Sequence, residues 1–386
     1  MRKTPCRNIG DGRGWGSGKS GGRSGPGIFL RLKSGEDVNL KVLDYCQRIL
    51  LNVLTSDKAL GMLNTTHPER LDFFGKTAHQ SGFFMSSVPF AKPPLDFASQ
   101  FKRLSDRCLD SDKSELGELM LTTSYYRLKS YLQPFLGGAQ AYFSVADLKR
   151  LMQFDHDLRV LILDCLEKVE IYFRSAINEH MNAVTCDAFW YLNSDHFMNV
   201  SVHKALLKTV KEETERSRDS FIKEYTKTYT LPVTSLSVHH DSSFLHSPPS
   251  WMVIEICSFG FFSKLFKLLK PPYRKGIAPA FQLDEKLVAS WFHSFSVTRN
   301  ICAHHARLWN KVLGVRPIVP KHDKFFDLSN HSNKVSMILL MLIRQLEIID
   351  GKDSEQAEKI RTFIVNSSRF QQDGMGFAHE KMNRLV

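Results

Sequence analysis

Between Val145 and Met181 the apolar residues recur at a spacing that an α-helix satisfies. Leu158, Ile162, Cys165, Val169, Phe173 and Ala176 follow one another at intervals of three and four, which on a helix of 3.6 residues per turn forms a single stripe. A stripe of this kind must be covered, so the spacing predicts one long helix packed among others. Asp155 and Arg159, then Glu170 and Arg174, stand four apart on it with the acid first. That order supports a helix surface, and we read these four as surface pairs rather than substrate groups.

The remainder is predicted to be helical as well. A stretch over 38–54 is amphipathic, and a Phe-rich connector with Pro89, Pro93 and Pro94 follows it. Helical periodicity then dominates from about residue 91. We expect one or two short helices over 97–121 and a charged helix over 203–229. A proline- and serine-bearing loop over 231–250 precedes an apolar helix pair over 248–270. That pair should break near Gly260 and end at Pro271-Pro272. Two more helices are expected over 284–310 and 333–349. No alternating strand pattern stands out, so the fold class is all-α. Four segments result: 1–36, a disordered Gly-rich extension; 37–90, an N-terminal extension; 91–350, the main helical domain; and 351–386, a polar helix or tail.

The 386 residues carry a net charge of +12 with an ordinary charged fraction of 24%. The excess is one of sign, and it points to an anionic partner, nucleic acid first and a membrane surface second. Residues 10–27 are half glycine with arginine and serine interspersed, a composition that cannot offset its chain entropy by burial. Gly18-Lys19-Ser20 looks like the end of a phosphate-binding loop, but position 13 is arginine where that loop needs glycine. Seven cysteines are scattered without a C-x-x-C pair, which argues for reduced thiols in a cytoplasm and against a zinc site. No apolar stretch follows the basic N-terminus, and the longest apolar run, Met337–Ile343, is too short to span a bilayer. We expect a soluble protein with no membrane partner, metal or cofactor.

The string "SVTRNICAHHARLWNK" (296–311) carries the chemistry. Drawn as one helix at about 100° per residue, it puts Arg299, Asn300, His304, Arg307 and Asn310 on a polar arc. His305 falls among Ile301, Leu308, Trp309 and Cys302, where a packed histidine is expected. A solvated helix face remains an alternative for the polar arc, but no carboxylate of this segment accompanies it. Arginine offers a fork of donors to phosphate oxygens, and histidine exchanges a proton near neutral pH. Metal-free RNA cleavage needs those parts, because the ribose 2′-hydroxyl is itself the nucleophile.

Arg299-Asn300-x-x-x-His304 also resembles the R-x(4–6)-H signature of the HEPN ribonucleases. "RNICAHHARLWN" is similar to the corresponding string of AbiD/AbiF-type abortive-infection proteins of bacteria. Three further blocks follow that family's order: "TSYYRLKSYLQPF", "FDHDLRVLILDCLEKVEIYFRS" and "PSWMVIEICSFGFFSKLFKLL". The resemblance runs from about Lys92 to Arg344. It implies a HEPN-like helical bundle with additional N-terminal helices, with Arg299, Asn300 and His304 as catalytic residues. It also implies RNA cleavage to 2′,3′-cyclic phosphate ends, arrest of phage-infected cells, and a homodimer, since one chain carries one signature. On an ideal helix Arg299 and His304 lie about 140° apart, which suits a site shared between two chains.

Arg307, Asn310, Tyr126 and Arg127 are candidate substrate-binding residues. Tyr125, Tyr126 and Arg127 suit base stacking and phosphate contact. The tyrosines suit packing equally, with their hydroxyls satisfied. The expected function is an endoribonuclease toxin of antiphage defence, with RNA as substrate and an antitoxin RNA or protein as its restraint. A non-catalytic module binding RNA or protein is the alternative. A metal-dependent DNA nuclease ranks last, because no carboxylate cluster accompanies the signature.

Overall fold

Three short helices lead into one long one. They are α1 (Phe97–Ser105), α2 (Lys113–Thr122), α3 (Tyr125–Leu132) and α4 (Val145–Thr185), the last of 41 residues. At 1.5 Å per residue α4 spans about 60 Å. Ser144 starts it by accepting the amide of Ala146 at 3.1 Å, and Cys186 ends it in the left-handed conformation at φ 53°. The structure, a computed structural model, describes residues 29–31, 37–39, 92–136, 143–231 and 244–385. The chain divides into two units, Met1–Phe90 and Ala91–Val386.

Helices α5 (Val200–Arg216) and α6 (Ser220–Thr228) replace the single charged helix expected there. Ser217 separates them by taking the amide of Asp219 on its hydroxyl at 3.2 Å, a local bond that competes with helix continuation. The apolar pair is α7 (Ser250–Ile256) and α8 (Phe259–Leu268). It breaks near Gly260, at Ser258, whose hydroxyl accepts the amide of Phe261. The pair ends at Leu268, just before Pro271 and Pro272, which open α9 (Pro271–Ile277). In a first helical turn the missing proline N–H costs nothing.

Helix α10 (Glu285–Ala303) starts at Asp284, whose carboxylate accepts the amides of Lys286 and Leu287. Helix α11 (Val335–Asp350) has its residues 335–343 buried without interruption, so it runs inside the bundle rather than along its surface. The residues from 351 onward, read as a polar helix or tail, form α12 (Glu355–Asn366) and α13 (Arg369–Met375). Ile360, Ile364 and Met375 bury the apolar side of these two helices.

The stripe of α4 is the spine of this unit. Helices α8, α10, α11 and α12 all pack on it. At its middle Phe173 stacks on Phe292 of α10, with ring centroids 3.9 Å apart, and Phe259, Phe266 and Phe281 close around the pair. Each such fully buried ring contributes roughly 1.5–3 kcal/mol. From residue 92 onward no strand occurs among the described residues. The fold of this unit is all-α.

In the first unit, β1 (Phe29–Arg31) pairs antiparallel with β2 (Asp37–Asn39), Leu30 opposite Val38. The first strand lies in the segment 1–36 and the second at the start of the segment 37–90. Phe29 and Val38 are residue types that favour the extended chain. The Gly-rich stretch 10–27 and the rest of the 38–54 segment lie outside the described residues.

Candidate functional site

Helix α10 carries Arg299 and Asn300 into its last turn and then stops at Ala303. His304 is the capping residue, with φ −87° and ψ 12°, and His305 follows in the left-handed region at φ 55°. The amide of His305 donates to Cys302 O at 3.0 Å and that of Ala306 to Ile301 O at 3.1 Å. These two bonds form the Schellman closure of a helix C-terminus, with histidine where glycine is usual. The helix expected to continue to residue 310 therefore ends seven residues earlier. His304, Arg307 and Asn310 do not share a helical face with Arg299.

A buried carboxylate on α4 turns the chain away. Asp155 Oδ1 accepts the amides of Leu308 at 3.0 Å and Trp309 at 2.6 Å. Its Oδ2 accepts the hydroxyl of Tyr131 at 2.5 Å and pairs with the guanidinium of Arg159. Asp155 is wholly buried and Arg159 nearly so. The buried carboxylate is thus satisfied on both oxygens, as burial of a charge requires. Burial and the adjacent Asp155 charge push the Tyr131 hydroxyl up to about 12, so it stays a donor. Trp309 is buried too. Its indole N–H donates to Gln371 O at 3.0 Å, and its ring fills the space a side chain at Gly374 would need.

The two i,i+4 pairs read as surface features are therefore interior ones. Glu170 is also buried, pairs with Arg174, and lies 3.8 Å from Nε of Arg299. A carboxylate that the arginine-rich string lacks is supplied by the neighbouring helix. The signal was present in sequence. Asp155 stands four after Leu151 and three before Leu158, and Glu170 stands four after Leu166 and three before Phe173. Both acids occupy the apolar stripe itself.

Of the two histidines, His305 differs from expectation. His305 is exposed rather than packed among apolar neighbours, because the helix face assigned to it has already ended. Its carbonyl accepts Nη1 of Arg127 at 2.7 Å. That bond ties α3 to the end of α10. His304 is exposed as well, and its ring has no hydrogen-bond partner among the described residues. Asn300 is exposed one turn earlier, while the Arg299 side chain is 42% exposed.

The "SYYRLKSYLQPF" tyrosines divide. Tyr125 and Tyr131 are buried and anchor α3, whereas Tyr126 is 71% exposed and meets Tyr125 edge-on at 5.2 Å. Arg127 thus joins the signature directly, and Tyr126 stands beside it on α3. Arg307 is half-buried. Asn310, left-handed at φ 51°, accepts Nζ of Lys334 at 2.6 Å. Lys334 lies outside the string and was missed by the sequence reading.

A family model described as Abi-like protein matches residues 118–310. This chain belongs to the Abi-like protein family. The match runs from α2 to the loop residue Asn310, so it spans α3, the whole of α4 and the Arg299–His304 segment. No curated protein and no solved structure matches the chain. Membership supports a function of the abortive-infection type for this Abi-like chain. No helix among the described residues is long and apolar enough to cross a membrane.

Proposed function

We propose that this Abi-like chain is a metal-independent endoribonuclease of the HEPN type, acting as an abortive-infection toxin in bacterial antiphage defence. The observation that carries the reading is the end of α10. A half-exposed arginine, steadied by the buried Glu170, stands five residues before an exposed histidine whose ring is uncommitted.

In the reaction the ribose 2′-oxygen attacks phosphorus, a 2′-O–P bond forms, and the P–O5′ bond breaks. The 2′-hydroxyl proton passes to a base, and the departing 5′-oxygen takes up a proton. His304 suits one of these transfers, and water suits the other. Arg299 offers its forked donors to the phosphate oxygens as negative charge develops. Asn300 adds a neutral donor beside it. Arg307 and Arg127 extend the cationic surface, and Tyr126 offers a face for a base to stack on. One signature per chain supports a homodimer, in a cytoplasmic setting, restrained by an antitoxin RNA or protein between infections.

A non-catalytic binding module is the second reading. What favours it is the pairing of Arg299 with Glu170 and of Arg127 with a carbonyl, which leaves these cations partly engaged. Incubation of purified protein with total RNA in EDTA decides between the two. Wild type should produce fragments ending in 2′,3′-cyclic phosphate and His304→Ala should not; binding without cleavage would establish the module.

A further inference from the structure

Beyond the signature, two cations share one turn of chain with no anion to balance them: Lys334 bonds Asn310, which follows Arg307 by three residues. Lys334 and Arg307 are both half-buried, and neither has a carboxylate partner among the described residues. Other buried or half-buried charges of this unit are handled otherwise, as Asp155 with Arg159, Glu170 with Arg174 and Arg344 with Asp323 show. Like charges held together in a partly dry setting repel. That arrangement is stabilised when an anion binds between or beside them.

The position of Lys334 is built rather than incidental. Its Nζ donates to Asn310 Oδ1 at 2.6 Å, and Asn310 sits in the left-handed region at φ 51°, which asparagine tolerates better than most residues. The stem of Lys334 packs where a side chain at Gly376 would lie, and Gly376 itself has φ 99°. The ammonium is therefore held at both ends of its side chain. An amide orients it without cancelling its charge, as an aspartate at the same position would. Burial first, and then the charge of Arg307, holds the Lys334 amine below the usual lysine range. Arg307 follows His304 by three residues, so its backbone lies within about 11 Å of that histidine's.

We propose that Lys334 and Arg307 form a phosphate-binding subsite beside His304, and that Asn310 acts as the positioning residue that holds Lys334 in it. The inference rests on the ribonuclease reading of the same surface when the phosphate belongs to RNA. Asn310 then serves RNA through Lys334 rather than by touching it. The same two cations would accept inorganic phosphate, so the experiment separates the two sources.

The test uses a 2′-O-methyl RNA oligonucleotide, which lacks the nucleophilic hydroxyl and cannot be cut, titrated by fluorescence anisotropy over a range of salt. The proteins are wild type, Lys334→Gln, Asn310→Asp and Asn310→Gly. One lost phosphate contact to a single strand lowers the salt slope by about 0.7, which amounts to about eightfold in affinity at 0.05 M salt. Lys334→Gln should show that loss. Asn310→Asp keeps the lysine and the left-handed turn yet neutralises the ammonium, and it should match Lys334→Gln. Asn310→Gly should fall between Lys334→Gln and wild type.

In a second arm, wild type and Lys334→Gln are melted with and without inorganic phosphate. Wild-type RNA affinity and salt slope in both Lys334→Gln and Asn310→Asp would overturn an RNA subsite while leaving the ribonuclease reading standing. If phosphate also gave equal stabilisation with and without Lys334, the subsite as a whole would be refuted. A wild-type protein that ignores the oligonucleotide but is stabilised by phosphate through Lys334 would keep the subsite and overturn the RNA reading.

Discussion

The backbone amide of Trp309 donates to the carboxylate of Asp155 at 2.6 Å across 154 residues of sequence. With the parallel bond from Leu308 at 3.0 Å, it decides where the chain goes after His304. The loop is drawn onto α4, and the two histidines are left at the surface. The same carboxylate holds Tyr131 of α3, so a single buried acid aligns the three segments that meet at the candidate site.

Removing that acid should be severe. Asp155→Ala leaves Arg159 buried without its partner and two amides without an acceptor, a loss of about 3–5 kcal/mol. Tyr131→Phe removes one donor only and should cost about 1 kcal/mol. Urea midpoints for both variants check the order. An Asp155→Ala protein as stable as wild type would mean the loop is held by other contacts.

His304→Ala and Arg299→Ala should each lower RNA cleavage by roughly 10² to 10⁴, with melting temperatures close to wild type because both side chains reach solvent. Mixing the two inactive proteins tests the composite site. Partial recovery of activity is expected if one chain lends arginine and the other histidine. A mixture as dead as its components, at concentrations where dimers form, places both groups in one chain.

His305 should respond to backbone demands and not to packing. Its left-handed φ of 55° is the position that glycine fills in most Schellman closures, and a side chain there costs on the order of 1–2 kcal/mol. His305→Gly should therefore match or exceed wild-type stability and keep cleavage, since the bond from Arg127 goes to a carbonyl. His305→Val should be clearly less stable. If His305→Gly is folded but inactive while His304→Ala cuts RNA, the roles of the two are exchanged.

Alkaline pH should destabilise the fold in a defined window. Burial pushes the thiols of Cys165, Cys257 and Cys302 each up to about 12, from an ordinary value of 9.0. Because the folded values are raised, the unfolded chain releases protons first as pH rises. This contribution to stability is complete below about pH 9 and is lost progressively toward pH 12, with Tyr131 adding to the loss above pH 10. Urea midpoints at pH 8, 9, 10 and 11 should fall in sequence, and Cys302→Ala should fall less steeply from its own starting value. A level profile would show that the thiols ionise within the fold.

Much of the architecture can be read from local spacing. The stripe of α4, the unbroken apolar run of α11 and the all-α class of the main unit follow from periodicity, because a helix face is set by residues three and four apart. The placement of Arg299 and Asn300 on the last helix of the signature string follows in the same way. Even the burial of Asp155 and Glu170 was visible as acids inside an apolar stripe, although an i,i+4 partner disguised them as surface pairs.

The end of α10 was decided by the tertiary structure. Nothing within "AHHARLWN" forbids another two turns of helix, and a wheel drawn through it looks coherent. The acceptor for Leu308 and Trp309 lies on α4, the donor to His305 on α3, and the floor under Trp309 at Gly374. Those partners are distant in sequence, and together they outweigh the local preference for continuing the helix. They put His304 at a turn, His305 in solvent, and Lys334 against Asn310, where no periodicity could have placed them.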